Sequence, residues 1–437
     1  MDRRSFLRRG AVATGGLAIA GPLQAFAMRS ASGAPIEASD YGKLVDMGAL
    51  SLPKGFSYRI VSRSGQPMTD GNPTPTAFDG MSAFSGANGN TVLIRNHENR
   101  KSAGDTDEID VQVPEALRYD PDPIFNGGNT KLVVDREGHV VRDFAVLGGT
   151  TTNCAGGKMP WGSWVTCEEA FEDGGEPHGY IFEVPAFTSA PVKAVPVKAA
   201  GRFVHEAVVW HGGILYQTED QRYDAGFYRY LPDQTPGRDR PLASTTGKLE
   251  ALTLVDVEDA NTDGFPVGEA FDVAWVPIED PDPATDTVRD QAHDLAAAGF
   301  NRPEGAWVGG GKVYFDCTEG GVAGLGQVWE YDPGKETLTL IYESPGPDQL
   351  KNPDNLVVGP GGVLFLCEDS EPPQYVRGLT PSGRIFDFAR ANRNETEFAG
   401  ATFDPKGRTL FVNQQGDEEE GVPAVTYAIW GHWRGEG

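Results

Sequence analysis

The chain has 437 residues, of which 39% are apolar, and it contains 56 glycines and 32 prolines. This content of turn-forming residues favours an all-β protein, and the length suits two ordinary domains or one large closed architecture. Acidic residues (63) outnumber basic ones (37), for a formal charge of −26. Because such a surface repels phosphate backbones and anionic lipids, the composition argues against a nucleic-acid-binding or membrane-surface protein.

The first 27 residues have the pattern of an export signal. The pair Arg3-Arg4 precedes an apolar stretch, 11–20, and the small-residue motif Ala25-Phe26-Ala27. This pattern is typical of a twin-arginine signal peptide, with an ordinary secretory signal as the alternative. We therefore expect a periplasmic or secreted protein that meets the twin-arginine translocase during export. No later apolar run approaches the roughly 20 residues of a membrane-spanning helix, so no span is expected in the mature chain.

From residue 79 onwards one pattern recurs six times: a short apolar strand, a turn with Gly or Pro, a second apolar strand and a polar end. Six such hairpins predict an all-β protein, a six-bladed β-propeller over residues 41–437, whose blades each begin with one hairpin. A seven-bladed ring and a two-domain β-sandwich are the alternatives. The copies cover residues 79–98, 153–169, 205–220, 304–319, 354–369 and 397–414.

The stretch from about 232 to 300 interrupts the repeat. It is rich in Asp and Pro and contains one helix-like segment, 284–298. We expect it to be an insertion that passes over one mouth of the ring. Beyond it, residues 327–332 and 338–342 are predicted to form outer strands of a blade.

The inner strands of a propeller begin near one end of its axis, so residues at the strand starts converge there. Like charges brought this close raise one another's pKa and require a counter-charge, which bound cations supply. Carboxylate oxygens suit calcium, and a thiolate adds affinity for a transition metal such as iron or zinc. The sequence therefore predicts an axial metal site. The strand-start positions hold Asp79, Cys154, Glu206, Glu304, Asn355 and Glu397.

A second group of polar residues follows the next strand of several copies and extends the predicted cluster. For each of them a solvated position on the rim is the alternative. His97 and His205 adjoin these carboxylates, either as ligands or as hydrogen-bond supports for ligands. The second group comprises Asn96, Glu98, Glu169, Glu219 and Glu368.

Arg302 precedes Glu304 by two residues, which in an extended segment places both on one side of the chain. A guanidinium beside metal ions can hold a phosphate through two parallel hydrogen bonds. A surface salt bridge is the alternative. The remaining cysteines, Cys167, Cys317 and Cys367, match no zinc spacing and are expected as disulfides or buried thiols.

These motifs resemble those of the PhoX-type alkaline phosphatases over about residues 41–415. The longest shared block runs from Gly148 through Cys154 to Glu169. The shorter ones are Arg95-Asn96-His97-Glu98, Arg202-Phe203-Val204-His205-Glu206, Arg302-Pro303-Glu304-Gly305, Pro353-Asp354-Asn355 and Glu397-Phe398-Ala399-Gly400.

The resemblance implies a six-bladed propeller with a ferric pair and calcium ions on its axis, which hydrolyses phosphate monoesters at alkaline pH. It implies iron ligation by Cys154, Glu206 and Glu304. Asn96, Glu98, Glu169 and Glu397 would be shared between Fe³⁺ and Ca²⁺. Arg302 and Asn355 would hold the phosphate oxygens. It also implies a compact member, since well-studied members are longer.

Two other functions stay open at this stage. A calcium-dependent lactonase-type hydrolase also uses a six-bladed propeller, but it would leave Cys154 without a role. A non-catalytic exported propeller would bind a protein or glycan and use metals only as structural plugs. We expect a monomer whose partner is a small phosphate ester, because a closed ring with a strongly negative surface disfavours self-association.

Overall fold

The computed structural model describes residues 41–100, 107–257, 260–417 and 419–433, so the leader predicted at 1–27 lies outside the described residues. Over these ranges the structure is almost entirely β, with one short α-helix, α1 (Val288–Asp294). The described part of the chain has no helix long and apolar enough to span a membrane. The strands are β1 Leu44–Asp46, β2 Leu50–Pro53, β3 Ser57–Arg63, β4 Phe78–Ser85, β5 Thr91–His97, β6 Gly127–Val134, β7 Val140–Thr150, β8 Asn153–Met159, β9 Ser163–Glu168, β10 Ile181–Pro185, β11 His205–His211, β12 Ile214–Glu219, β13 Phe227–Pro232, β14 Gly247–Leu254, β15 Ala270–Pro277, β16 Pro303–Gly309, β17 Lys312–Cys317, β18 Gln327–Asp332, β19 Thr337–Glu343, β20 Pro353–Val358, β21 Leu364–Glu368, β22 Tyr375–Leu379, β23 Ile385–Ala391, β24 Phe398–Phe403, β25 Thr409–Gln414 and β26 Val425–Trp430.

These strands form five antiparallel sheets in the described residues. The first two are the four-stranded sheet β4-β5-β6-β7 and the three-stranded sheet β8-β9-β10. A nine-stranded sheet follows in the order β11-β12-β13-β14-β15-β19-β18-β17-β16. The last two are β1-β2-β23-β22-β21-β20 and β24-β25-β26-β3, in which strands from the N-terminal region complete the edge.

The nine-stranded sheet consists of two meanders that share β15. This strand pairs with β14 on one side and with β19 on the other. The stretch 232–300, predicted as an insertion, is therefore built into the sheets through β14 and β15, because β14 buries Leu249, Ala251 and Leu252 in the core. The helix is shorter than the predicted segment at both ends, and at its C-terminal end the left-handed backbone of Ala296, with φ of 60°, prevents its continuation.

The innermost strands form a closed cycle. Each of β4, β8, β11, β16, β20 and β24 contacts the next, and β24 returns to contact β4. Aromatic side chains fill the space between the two meanders of the nine-stranded sheet, where the rings of Phe315 and Trp329 stack in a fully buried cluster with Phe227. The fold is thus an all-β, propeller-like ring whose central ends bring six chain segments together.

Candidate metal centre

All six inner strands contain a β-bulge or similar pairing irregularity near their first residues. A bulge leaves a residue out of the ladder and re-aims its side chain, and bulges are common beside active sites. In five of the strands this segment contains one side chain that lines the central cavity and is of a type that can bind a metal: Asp79, Cys154, Glu206, Glu304 or Asp354. The register shifts lie between Phe78 and Met81, Asn153 and Gly156, His205 and Val208, Pro303 and Ala306, Pro353 and Asn355, and Ala399 and Thr402.

Two glycines directly after these residues allow neighbouring inner strands to approach closely. A Cβ atom at Gly80 would lie 2.6 Å from the carbonyl oxygen of Cys154, and one at Gly305 would lie 2.7 Å from that of Asp354. Backbone contacts this short exclude any side chain. The Asp79-Gly80 and Glu304-Gly305 pairs therefore combine a ligand with the close packing that concentrates ligands at the axis.

Four inner strands begin with an unusual backbone conformation. Residues Ala77, Thr152, Arg302 and Asn352 have φ between 45° and 52°, and each precedes the cavity-lining residue of its bulge by two positions. Such left-handed residues cost roughly 1 kcal/mol or more and cluster at functional sites. Each carbonyl accepts a hydrogen bond, at 2.8–3.0 Å, from the backbone amide of the residue that follows the second strand. Those donors are Glu98, Glu169, Thr318 and Asp369.

The result is an acidic cavity of about 360 Å³ at the central ends of the strands. The cavity residues include three sets of potential metal ligands. Within each set, the ligand atoms lie within 4.8 Å of one another, and Glu206 belongs to two of the sets. Most of these side chains are almost fully buried; only 1% of Glu206 and 3% of Glu304 are exposed. The sets are Cys154, Glu169 and Glu206; Asp79, Glu98 and Glu397; and Glu206, Glu304 and Asp354.

The electrostatics of the cavity oppose ionisation of its acids. Burial, reinforced by neighbouring carboxylates, raises the pKa of Asp354 to about 7. Burial likewise raises the pKa of the Cys154 thiol well above its usual range. The same causes, burial first, raise the pKa of the carboxyl groups of Asp79, Glu169, Glu206, Glu304 and Glu397 well above their usual range.

Two arginines offset part of this charge. The Arg100 guanidinium contacts Glu98 and lies 2.7 Å from Glu169 Oε2. Although burial opposes ionisation of Glu98, this cation holds the pKa of Glu98 below its usual value. Arg302 forms a bidentate pair with Asp220, at 2.9 and 2.8 Å, and reaches Glu304 Oε1 at 2.7 Å.

The donor set fits metal cations. It combines several carboxylates with one thiol, and Asp79 Oδ1 is buried without a hydrogen-bond partner among the described residues. Two guanidinium groups do not balance so many carboxylates, and the raised pKa values show the remaining cost. Hard cations suit the oxygens, and a transition metal suits the sulfur.

The profile of the alkaline phosphatase PhoX family matches residues 35–146 and 137–417. The chain belongs to this family. Its members are phosphatases, so the protein is a phosphatase-family enzyme. No curated protein sequence matches the chain.

The fold is similar to that of a solved PhoX structure. PhoX of Pseudomonas fluorescens, determined with the transition-state analogue vanadate, is 18% identical, and the alignment covers 91% of this chain and 98% of that one with a TM-score of 0.70. XC5397, a gluconolactonase from Xanthomonas campestris, is 12% identical over 89% of this chain and 99% of that one, with a TM-score of 0.43.

Most metal ligands predicted from the PhoX resemblance line the cavity. Cys154, Glu206, Glu304, Glu397, Glu98 and Glu169 are all among its lining residues, and so is Arg302. Glu397 reaches it from the residue immediately before β24, whereas Cys154, Glu206 and Glu304 are the second residues of their strands.

The two predicted amide residues are placed differently. Asn96 does not line the cavity: its Nδ2 donates to the carbonyls of Cys154 and Ala155, at 2.6 and 2.7 Å, and its Oδ1 accepts from Asn129 and Trp164. Its amide thus holds the neighbouring bulge and has no capacity left for a metal. Asn355 also lies outside the lining; its Oδ1 accepts from the Gly400 amide, and its buried Nδ2 has no partner among the described residues.

Other candidates have structural partners. Glu219 accepts from Tyr228 and pairs with Arg289, and Glu368 pairs with Arg377. His97 contacts Thr76 and Thr130 through its two ring nitrogens, and one nitrogen of His205 contacts the Gly201 carbonyl. All four cysteines are buried, free thiols.

Sequence reasoning did not assign several charged residues that the structure places in or beside the site, among them Glu108 in the cavity lining. Asp354 and Asp369 line the cavity where Asn355 and Glu368 were expected, and Asp220 orients Arg302. Arg100 also lines it. Asp354 carried a usable signal, because Pro353-Asp354 repeats the Pro303-Glu304 pair of the preceding copy.

Proposed function

We propose that this PhoX-family protein is an exported, metal-dependent phosphatase that hydrolyses phosphate monoesters at an iron–calcium cluster in the central cavity. The observation that carries the proposal is the convergence of carboxylates and one thiol from all six chain segments beside Arg302. The profile match to a phosphatase family supports the reaction class.

We interpret the ring as a six-bladed propeller. The two meanders that share β15 each begin with an inner strand, β11 or β16, and count as two blades. The other four sheets each supply one inner strand to the cycle. The joined sheet is then a local fusion of two blades at their outer edges.

The proposed ligands follow from the three sets of adjacent atoms. Iron would be held by Cys154, Glu206 and Glu304. The set that contains Cys154 supplies the sulfur, and it shares Glu206 with the set that contains Glu304. Glu98, Glu169 and Glu397 would complete the cluster with calcium. Asp79 and Asp354 join this proposal because their oxygens belong to the same sets. Asn96 does not, because its amide is fully hydrogen-bonded.

Arg302 is the proposed phosphate-binding residue. Asp220 engages its Nε and Nη2 atoms, which fixes the plane of the guanidinium. Its Nη1 makes no hydrogen bond within the described residues; the nearest acidic oxygen, on Glu319, is 3.9 Å away. This nitrogen would therefore donate to a phosphate oxygen. The partnerless Nδ2 of Asn355 supports the prediction of a second donor, which stays untested.

Bound metal cations would supply Lewis-acid stabilisation of the charge that develops on the phosphoryl group. The chain's own residues hold the arrangement around the ester. Burial excludes water from Glu206 and Glu304, while the bulges and the left-handed strand starts keep the carboxylates aimed at one point. Arg302 orients the phosphate with its plane already set, so little entropy is lost on binding.

Export by the twin-arginine pathway, a periplasmic or secreted location and a monomeric state remain predictions from the sequence. The twin-arginine route suits a site that is complete only in the folded ring. The predicted export route and the proposed cluster therefore support each other.

The test is elemental analysis of protein purified from its exporting host, combined with hydrolysis of p-nitrophenyl phosphate. We expect iron and calcium together, with activity that is lost on chelation and in Glu304→Gln. The matched control is Glu137→Gln, since Glu137 is an exposed turn residue far from the ligand sets. Calcium alone with lactone hydrolysis, or a protein that binds no metal, would refute the proposal.

A further inference from the structure

A second cavity of about 670 Å³ opens beside the metal centre. It shares the lining residues Asp369, Glu397 and Gln415 with the central cavity, so the two cavities are adjacent. Its walls come from the segment after β21, the segment before β24 and the turn after β25. We call it the side groove. A phosphate held at the metal centre would have this groove beside it for the rest of the molecule.

The side groove is strongly acidic. Beyond the shared residues it is lined by Glu371, Glu395, Asp417 and Glu420, against one lining cation, Arg393. None of these four carboxylates forms an ion pair within the parts of the chain that the structure describes, and Glu371, Glu395 and Glu420 are exposed. An anionic group in the groove would be repelled, and a cation would be attracted.

A buried side chain in the wall adds an independent indication of the ligand. Gln374 is only 3% exposed, and its Nε2 donates to the Ser370 carbonyl. Its Oε1 is buried with no hydrogen-bond partner among the described residues. An orphaned acceptor of this kind is costly unless a donor reaches it. Since it lines an acidic groove, the expected donor is a cationic N–H group.

We infer that the side groove binds the protonated amine of the leaving alcohol, so that the enzyme prefers aminoalkyl phosphate monoesters. This inference rests on the proposed phosphatase function. The phosphate lies at the metal centre beside Arg302. The ammonium lies beyond the shared residues Asp369 and Glu397, among the groove carboxylates, and donates to Gln374 Oε1. Arg393 is outnumbered there, so esters with a carboxylate in the same place bind poorly.

The test compares three esters that differ in one group: 2-aminoethyl phosphate, 2-hydroxyethyl phosphate and phosphoglycolate. Measurements at pH 8 keep the amine protonated, about two units below the usual alkyl-ammonium pKa of about 10.4. Because leaving alcohols differ in intrinsic reactivity, the measured quantity is the ratio of kcat/KM for the amino and hydroxy esters in each variant. This ratio is then compared between the native protein and each variant. The comparison removes the difference in intrinsic reactivity between the two leaving alcohols, because that difference is the same for every protein.

Substitution of exposed groove carboxylates should lower this ratio. Each exposed charge pair is worth about a twofold to fivefold change, so Glu371→Gln with Glu395→Gln should lower the ratio roughly tenfold. Glu137→Gln, at an exposed turn away from the groove, should leave the ratio unchanged. Calorimetry of the metal-loaded protein with 2-aminoethylphosphonate and 2-hydroxyethylphosphonate checks the same preference without turnover, because neither contains a cleavable ester.

The possible results separate the two claims. If all three esters are hydrolysed with ratios that the groove substitutions do not change, or if phosphoglycolate is preferred, the groove assignment is wrong and the phosphatase assignment stands. If the metal-loaded protein hydrolyses none of them, both are wrong. A ratio that falls in the double variant, together with tighter binding of the amino phosphonate, supports the groove assignment.

Discussion

The most direct physical consequence of the metal centre is that the metal-free protein should lose stability as the pH rises. Asp354 shows the size of the effect. Burial raises its folded pKa to about 7, against about 3.9 in an unfolded chain. Between these values the folded state binds more protons than the unfolded one, so the free energy of unfolding falls with pH. About three units at 1.36 kcal/mol each correspond to about 4 kcal/mol lost by pH 8.

The perturbation is Asp354→Asn, which keeps the shape and removes the charge. In chelator, the variant should match the native protein near pH 4, where the folded carboxyl is already protonated. By pH 8 it should be more stable by about 4 kcal/mol. Urea unfolding followed by tryptophan fluorescence at several pH values measures this difference. The comparison of the two proteins cancels the contributions of other groups to the pH dependence. One of them is His178, whose raised pKa also makes the free energy of unfolding fall as the pH rises.

With metals bound, the sign should reverse, because the cations neutralise the native carboxylate and the neutral amide of the variant cannot replace it. A metal-free native protein whose stability is flat or rising between pH 5 and pH 8 would refute the reasoning. So would an Asp354→Asn variant that is no more stable than the native protein at pH 8 in chelator. Either result would mean that burial and the neighbouring carboxylates do not raise the pKa of Asp354.

Three further changes test other parts of the site. Arg302→Lys loses the planar pair with Asp220 and should lower kcat/KM at least tenfold at unchanged metal content, measured by kinetics with elemental analysis. Gly305→Ala places a Cβ 2.7 Å from a backbone oxygen and should cost about 1–3 kcal/mol in urea unfolding, whereas Gly346→Ala, which meets no atom within 4 Å, should cost much less. Cys154→Ser should lower the bound iron more than the calcium, measured by elemental analysis.

Each of these outcomes has a clear opposite. Full activity in Arg302→Lys would show that the guanidinium does not position the substrate. Equal stability of the two alanine variants would show that the inner strands do not pack as closely as described. Unchanged iron in Cys154→Ser would remove the thiol from the ligand set.

The sequence predicted the hairpins well because their signals are local. Apolar strands joined by glycine turns predicted β11–β12 and β16–β17, and the outer strand pair β18–β19 lies within a residue or so of its expected ends. The strand-start residues Cys154, Glu206 and Glu304 were found for the same reason, since each directly follows the first residue of its strand.

The differences between the predicted and the observed cavity-lining residues are differences of register. Asp354 and Asn355 are adjacent, and a shift of one residue moves a side chain to the opposite face of a strand. Which of them faces the cavity depends on the bulge between Pro353 and Asn355, which depends on how β20 pairs with β21. The same shift of one residue applies at the end of β21, where Glu368 was predicted and Asp369 lines the cavity. The position of Asn96 outside the cavity lining was not predicted, because its partners, the carbonyls of the next inner strand, are distant in sequence.

The sheet β24-β25-β26-β3 joins the two ends of the described chain, because β3 pairs with β26 along six residue pairs. During synthesis, β3 therefore cannot pair with β26 until β26 has left the ribosome. The proposed ligands, from Asp79 to Glu397, come from segments that are synthesised at widely separated times. No nascent fragment that ends before Glu397 carries the whole set of proposed ligands. We therefore expect the proposed metal cluster to form only after most of the chain has been synthesised, and removing residues 57–63 should open the circle while leaving every proposed ligand in the chain.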